Sequence, residues 1–410
     1  MRWKLTLLAL AVAVGSGAAL WWLRPDSRTL SPRLIVLGID GLDDRVLRRL
    51  VAAGELPNFG RLLREGASGT IRNSEIGLPP VSPAIWTTYV TGVTKDEHGI
   101  YGFVFNTPQG WELYRSVQRK RPALWEILSQ NERTVGVVNW WFSFPPEAIR
   151  GFIVTDRYFE SELKGLSEIT FGRATGMEAP VIYPPLLAET ITVSRQQKLP
   201  KVLDAKSART LDSAMLDLAY RSLQAVPVET LLVYLNGLDR VSHRTWDAAD
   251  IEGCGGVEVR RHLKTLDEFV GELWQRMPAA SHLVLLSDHG FEPNPKGRPP
   301  GAHESQEAAD AAVLLLYGPK VEPGKALGSV SPFDVLPTVL ALLEVPLPQG
   351  TRGAVVQAFR GRKVETSQLP RRSYMRLAAV SGTLPASSGE DAVDAATKER
   401  LRALGYLEDK

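Results

Sequence analysis

The first regular feature of the chain is a nearly unbroken apolar run, Leu34-Ile35-Val36-Leu37-Gly38-Ile39, which stops at Asp40-Gly41. A strand wetted on one face alternates apolar and polar positions, whereas a continuous run suits a strand covered on both faces. Similar runs recur at Val135 to Asn139, Leu231 to Asn236, His282 to Ser287 and Ala312 to Tyr317. Between them, Leu42 to Ala53, Ala84 to Val90, Ser207 to Gln224 and Val257 to Gln275 carry apolar residues at helical spacing. Strands alternating with helices predict an α/β fold, a mostly parallel sheet with helices on both faces.

The same patterning sets expected boundaries. Residues 31–360 are read as the main domain. Within it, 104–225 is richer in Pro and aromatics, with irregular spacing, and is read as an inserted cap over the sheet. Residues 361–410 form a C-terminal tail, in which Ala386 to Ala396 is small, polar and acidic and about Thr397 to Leu404 is a last short helix. At the other end, Arg2 and Lys4 precede the uncharged stretch Leu5 to Leu23, which Arg24 closes. That length spans a bilayer core, and Trp21-Trp22 stand where an interfacial aromatic belt is expected. Residues 1–30 are therefore read as a membrane anchor through residues 5–23, plus a linker. The rival reading is a signal peptide cleaved near Ser16-Gly17-Ala18. Both readings export the body of the chain, to a periplasmic or extracellular location.

Composition narrows the chemistry. The 410 residues are 44% hydrophobic and 23% charged, as in an ordinary globular protein, and suffice for one large domain with insertions. A formal net charge of +2 gives no reason to expect nucleic acid as a partner. Cys254 stands alone, so thiolate-rich metal sites are excluded and any metal falls to His and carboxylate ligands. Nothing in the sequence sets an oligomeric state.

Suitable ligands do occur where the strands end. Asp40 follows the first run, Asp239 and His243 lie just past the Leu231 run, and Asp288-His289 follow the His282 run. In open α/β sheets, ligands gather outside the carboxyl ends of the strands. His303 sits after a Pro/Gly-rich loop, Gly297 to Gly301, that can fold back over such a rim. Oxygen ligands mixed with imidazole suit Zn2+, and less exclusively Mn2+ or Fe. Two such divalent metal ions would serve a phosphoryl transfer. Ser82, in Gly77-Leu78-Pro79-Pro80-Val81-Ser82-Pro83, opens a helical stretch whose N-terminus favours an anion. A serine hydroxyl needs activation; the sequence places no histidine beside it, which leaves metal coordination. Taken singly, each residue has an ordinary alternative: a turn-forming Asp, a surface Asp239/His243 pair, a solvated His303, a helix-capping Ser82.

Their joint order argues otherwise. Leu34 to Gly41, Leu56-Pro57-Asn58, Pro79 to Trp86, Thr91-Gly92 and Glu97 to Ile100 resemble the alkaline phosphatase superfamily. The series continues through Asn236 to His243, Ser287 to Gly290 and Gly301-Ala302-His303. The branch it is most similar to is the type I phosphodiesterase/nucleotide pyrophosphatase group, with its phosphohydrolase and phosphomutase relatives. The resemblance implies an alkaline-phosphatase-like fold and two metal ions. Asp239, His243 and His303 would hold one; Asp40, Asp288 and His289 would hold the other, with Ser82 also bound to it. Ser82 would be the nucleophile, forming a phosphoserine that water then hydrolyses. The expected activity is hydrolysis of a small-molecule or lipid-linked phosphate mono- or diester. Transfer to another acceptor, or a non-enzymatic envelope role, are the alternatives. Ile85 stands where nucleotide pyrophosphatases carry an Asn, which disfavours a nucleotide and leaves backbone N–H groups or another side chain to hold the oxyanion.

Overall fold

The computed structural model describes residues 32–108, 110–158, 180–191, 205–246, 255–293, 301–360 and 364–379. In chain order the strands are β1 (Leu34–Ile39), β2 (Ala67–Ile71), β3 (Val104–Thr107), β4 (Gly110–Leu113), β5 (Val135–Val138), β6 (Gly151–Val154) and β7 (Ile182–Tyr183). There follow β8 (Thr230–Leu235), β9 (His282–Leu286), β10 (Glu292–Pro293), β11 (Gly301–Ala302), β12 (Ala312–Tyr317) and β13 (Lys325–Val330). Nine of them form one sheet in the order β13-β2-β12-β9-β1-β8-β5-β6-β7. The central strands β9, β1, β8, β5 and β6 run parallel, whereas β12 and β7 pair antiparallel with their neighbours. The sheet is thus mixed but mostly parallel, as the apolar runs predict.

Alternation along each strand divides the core. Ile35, Leu37 and Ile39 of β1 face one apolar cluster, and Leu34 and Val36 face a second. Helices Asp44–Ala52, Pro57–Glu65, Ala205–Ala225 and Val257–Arg276 cover the first face, while Ser82–Thr91, Leu124–Gln130 and Val335–Leu342 cover the second. Two apolar faces, each needing a cover, produce a three-layer domain.

Residues 104–225 supply β5, β6 and β7 to one side of this sheet. They also supply the β3–β4 hairpin, whose Phe103 and Leu113 neighbourhood packs against Val81. The expected helix at Thr397 to Leu404 and the acidic stretch Ala386 to Ala396 lie outside the described residues. The membrane-anchored, exported localisation is corrected: among the described residues no helix is long and apolar enough to cross a membrane. Residues 5–23, on which that reading rested, lie outside the described residues.

Candidate active site

Strand order brings the candidate residues to one rim. Asp40 follows β1, Asp288 and His289 follow β9, and helix Gly237–Thr245 after β8 carries Asp239 and His243. Because β9, β1 and β8 are parallel neighbours, all three ends emerge together. The turn after Asp40 depends on Gly41 at φ +72°; a Cβ there would come within 2.7 Å of the Phe291 ring. Ser82 is the first residue of its helix, with Val81 rather than Ser82 at the cap. His303 follows β11, which pairs antiparallel with β10; residues 294–300 between them lie outside the described residues.

His289 is the hub. Its Nε2 lies 3.4 Å from Asp40 Oδ1, 3.5 Å from Asp288 Oδ2 and 3.8 Å from Asp239 Oδ1. It also lies 3.4 Å from Ser82 Oγ. His289 Nδ1 stands 3.0 Å from the Gly290 carbonyl, which can only accept, so Nδ1 carries a proton and Nε2 is the nitrogen turned to the carboxylates. His243 Nε2 is 3.3 Å from Asp239 Oδ1 and 3.2 Å from His303 Nε2. The His289 and His303 rings stack with centroids 3.9 Å apart. The fully buried Phe291 meets all three imidazoles edge-on.

Two overlapping groups could hold metal ions. Ligand atoms of Asp40, Asp288 and His289 lie within 4.8 Å of one another, as do those of Asp239, His289 and His303. His289 is common to both, and His243 adjoins the second through Asp239 and His303.

The carboxylates show why a cation fits. Asp288 Oδ1 accepts the N–H groups of Gly41 and His289, each at 3.1 Å, and Asp40 Oδ2 accepts from the Tyr234 hydroxyl. Their other oxygens, together with Asp239 Oδ1, are buried and accept no hydrogen bond. Buried carboxylates are costly unless paired or bound to metal. Burial, then the Asp288 and Asp239 charges, hold the Asp40 carboxyl well above its ordinary value. Burial also pushes Asp239 up, but the His243 and His289 imidazoles outweigh it and leave that carboxyl below the usual range. Burial and the other two imidazoles hold His303 well below its ordinary value, in the neutral form that ligates metals.

Several expectations change in detail. A histidine does stand beside Ser82, because the fold folds His289 back from a distant strand. The helix end offers few free amides: the Ala84 and Ile85 N–H groups turn back onto the Val81 carbonyl, and Pro83 has none. Ile85 is buried in the apolar core. His98 is also buried: its Nδ1 accepts the Ile100 N–H at 3.1 Å and its Nε2 faces Thr88 Oγ1 at 3.2 Å. Burial depresses it to about 3, a structural rather than ligand role. His262 binds Asp212 at 2.8 Å, and Asp212 accepts the Gly237 N–H at 3.0 Å, behind the helix that carries Asp239. Lys95 rests against Gly77 on the turn leading to Ser82.

Sequence reasoning missed Tyr234, Trp86 and Phe291. The available signal was chemical: Tyr234 interrupts an aliphatic run buried on both faces, and a buried Tyr hydroxyl needs a partner. Tyr234 touches Asp40, Trp86 packs edge-on to Tyr234 at 5.0 Å, and Phe291 spaces the imidazoles.

A mostly parallel sheet with carboxylates and imidazoles at its carboxyl rim is an alkaline-phosphatase-like arrangement. Human ectonucleotide pyrophosphatase/phosphodiesterase 5 shares the fold, with a TM-score of 0.50 and 13% identity over 76% of this chain and 95% of that one. Residues 34–313 match the model of the type I phosphodiesterase/nucleotide pyrophosphatase family, and the chain belongs to that family. It is also 24% identical over 164 residues to the mouse GPI ethanolamine phosphate transferase 3 catalytic subunit. That match covers 38% of this chain and 14% of the relative. The Schizosaccharomyces pombe GPI ethanolamine phosphate transferase 3 is 27% identical over 135 residues, covering 31% of this chain and 13% of that one.

Proposed function

We propose that this chain hydrolyses phosphate mono- or diesters through a covalent phosphoserine at Ser82. Asp40, Asp288 and His289 would hold one divalent ion, with Ser82 beside them, and Asp239, His243 and His303 a second. The observation that carries this reading is the meeting of three buried carboxylates, each with an unbonded oxygen, with three imidazoles and a serine hydroxyl. That mixed oxygen and nitrogen donor set suits Zn2+, with Mn2+ or Fe as alternatives. When bound, such ions polarise a phosphoryl group and acidify a neighbouring hydroxyl. Ser82 would form an Oγ–P bond as the bond from phosphorus to the leaving oxygen breaks, the serine proton ending on the departing alcohol. Water would then break the Oγ–P bond and release phosphate or a phosphomonoester. The family supports phosphoester chemistry in general; Ile85 argues against a nucleotide, leaving a small-molecule or lipid-linked ester.

A second reading, transfer to an alcohol acceptor, is favoured by the similarity to the GPI ethanolamine phosphate transferases. The first half-reaction is the same, and the acceptor alone differs. The test uses the full chain with Zn2+ or Mn2+ and chromogenic phosphate mono- and diesters, with and without glycerol. Metal-dependent release of the chromophore is expected. Ser82→Ala should abolish it by about a thousandfold or more while retaining most bound metal. Substantial turnover by Ser82→Ala would overturn the covalent route. Glycerol phosphate formed at the expense of free phosphate would favour transfer over hydrolysis.

A further inference from the structure

Behind the carboxylate rim lies a hydrogen-bonded chain whose directions are set by chemistry. The Trp141 indole Nε1 stands 2.6 Å from the Tyr234 hydroxyl, and that hydroxyl reaches Asp40 Oδ2. An indole N–H can only donate, so the Tyr234 oxygen accepts from Trp141 and its own proton is left for Asp40. The hydroxyl rotor is thereby fixed. Asp40 Oδ2 is held by the protein, while Oδ1 faces His289 Nε2 at 3.4 Å with no hydrogen bond of its own.

Packing holds the chain in place. Tyr234 of β8 pairs with Gly38 of β1, two residues before Asp40. A Cβ at Gly38 would come within 2.8 Å of the Trp86 ring, so glycine lets that ring lie against the strand. Trp86 belongs to the helix that Ser82 begins, and meets Trp140 edge-on at 5.3 Å as it meets Tyr234. The Asn139 amide donates to the Tyr234 carbonyl at 3.1 Å. Tyr234 therefore joins β1, the Ser82 helix and the loop after β5, and its hydroxyl touches the Asp40 carboxylate.

We propose that Tyr234 is a positioning residue, which ties Asp40 by one oxygen so that it offers a metal ion only the other, with Trp141 fixing the direction of the Tyr234 proton. Without it, Asp40 can rotate, offer both oxygens, or turn away. A partner behind a ligand typically tunes metal affinity by about 10–100-fold. The effect falls mainly on the ion held by Asp40, Asp288 and His289, because Asp40 belongs to that ligand group and not to the one formed by Asp239, His289 and His303.

This inference rests on the two-metal reading, and one experiment separates their failures. Metal-stripped full-length wild type, Tyr234→Phe and Trp141→Phe are titrated with Zn2+ against a chromogenic chelator. Thermal unfolding of the metal-free proteins is followed alongside. Wild type should bind two equivalents. Tyr234→Phe should bind one with wild-type affinity and the other about 10–100-fold more weakly, and Trp141→Phe should show a smaller loss at the same ion. Wild-type affinity at both ions in Tyr234→Phe, or equal weakening of both, would overturn the positioning role. Full affinity in Trp141→Phe would overturn the part given to the indole. If Tyr234→Phe does not fold, Trp141→Phe carries the test, because it leaves Tyr234 and Asp40 in place. A wild type that binds no Zn2+ would instead overturn the two-metal reading itself.

Discussion

Replacing Asp40 by Asn tests the electrostatics of the rim without relying on catalysis. The ligand oxygens of Asp40 and Asp288 lie within 4.8 Å in a buried setting. At that separation and an effective dielectric of about 20, two unit charges repel by roughly 3 kcal/mol. Asn keeps the shape and can still accept from Tyr234, so the metal-free variant should gain stability up to about that amount. A chain of this length unfolds with an entropy of roughly 0.8 kcal/mol/K, so the gain corresponds to about 4 °C in Tm.

The gain must also depend on pH. The Asp40 carboxyl is held above its ordinary value. Its contribution to stability is therefore fully present below the unfolded-state value near 4 and lost as pH rises through the folded one. Metal-free wild type should weaken against Asp40→Asn as pH climbs above about 4, with the largest difference near pH 8. Asp239, held below its ordinary value, acts in the opposite sense, but its window lies below about 4 and does not mask the trend. Calorimetry of chelator-treated proteins from pH 4 to 8 is the assay. With saturating Zn2+ the order should reverse, because an ion that binds only the folded form stabilises wild type by about 4 kcal/mol at a thousand times Kd. A metal-free Asp40→Asn melting at or below wild type at pH 8, or a difference that does not change with pH, would refute mutual repulsion at the rim.

Two further substitutions probe the supports. Asp212→Ala removes the acceptor of both the Gly237 N–H and His262, at 3.0 and 2.8 Å; it should cost about 2–4 kcal/mol in denaturant unfolding and weaken Zn2+ binding at the Asp239 side. Unchanged stability would show that the buried pair does not hold that helix. Arg376→Ala strips Glu147 and Glu126 of a partner at 2.9 and 3.1 Å while Arg119 still contacts both. It should cost about 2–3 kcal/mol, below the usual penalty for breaking a buried pair, while Zn2+ stoichiometry stays at the wild-type value.

How much of this was legible in the sequence follows from what each strand buries. β1, β8, β9 and β12 bury both faces, and their apolar runs mark them to within a residue of their observed limits. β2, reading Ala-Ser-Gly-Thr-Ile, carries Ser68 and Thr70 at its half-buried positions and a glycine against β13, where a Cβ at Gly69 would meet the Gly328 carbonyl at 2.3 Å. β13 is an exposed edge strand with a register shift, and an edge needs no apolar pattern. β7 has two residues, too few to show any period. The irregular composition of 104–225 therefore hid sheet strands as well as the β3–β4 hairpin.

The candidate rim was legible for a different reason. Asp40, Asp239 and Asp288 each directly follow, or nearly follow, a run whose burial predicts a sheet centre, so one topological rule places all three together. What that rule omits is everything arriving from other directions. His289 reaches Ser82 only because β9 lies beside β1, an adjacency that local periodicity does not encode. Tyr234 sits inside a run that reads as pure core, yet its ring is core and its hydroxyl is not: the apolar pattern registers the six-carbon face and is silent about one oxygen. Phe291 is silent in the same way, since packing against three imidazoles looks like ordinary burial until the imidazoles are placed. The chemistry-bearing residues were thus readable where polarity breaks an apolar pattern, and unreadable where an aromatic ring satisfies the pattern while its edge or hydroxyl orders the site.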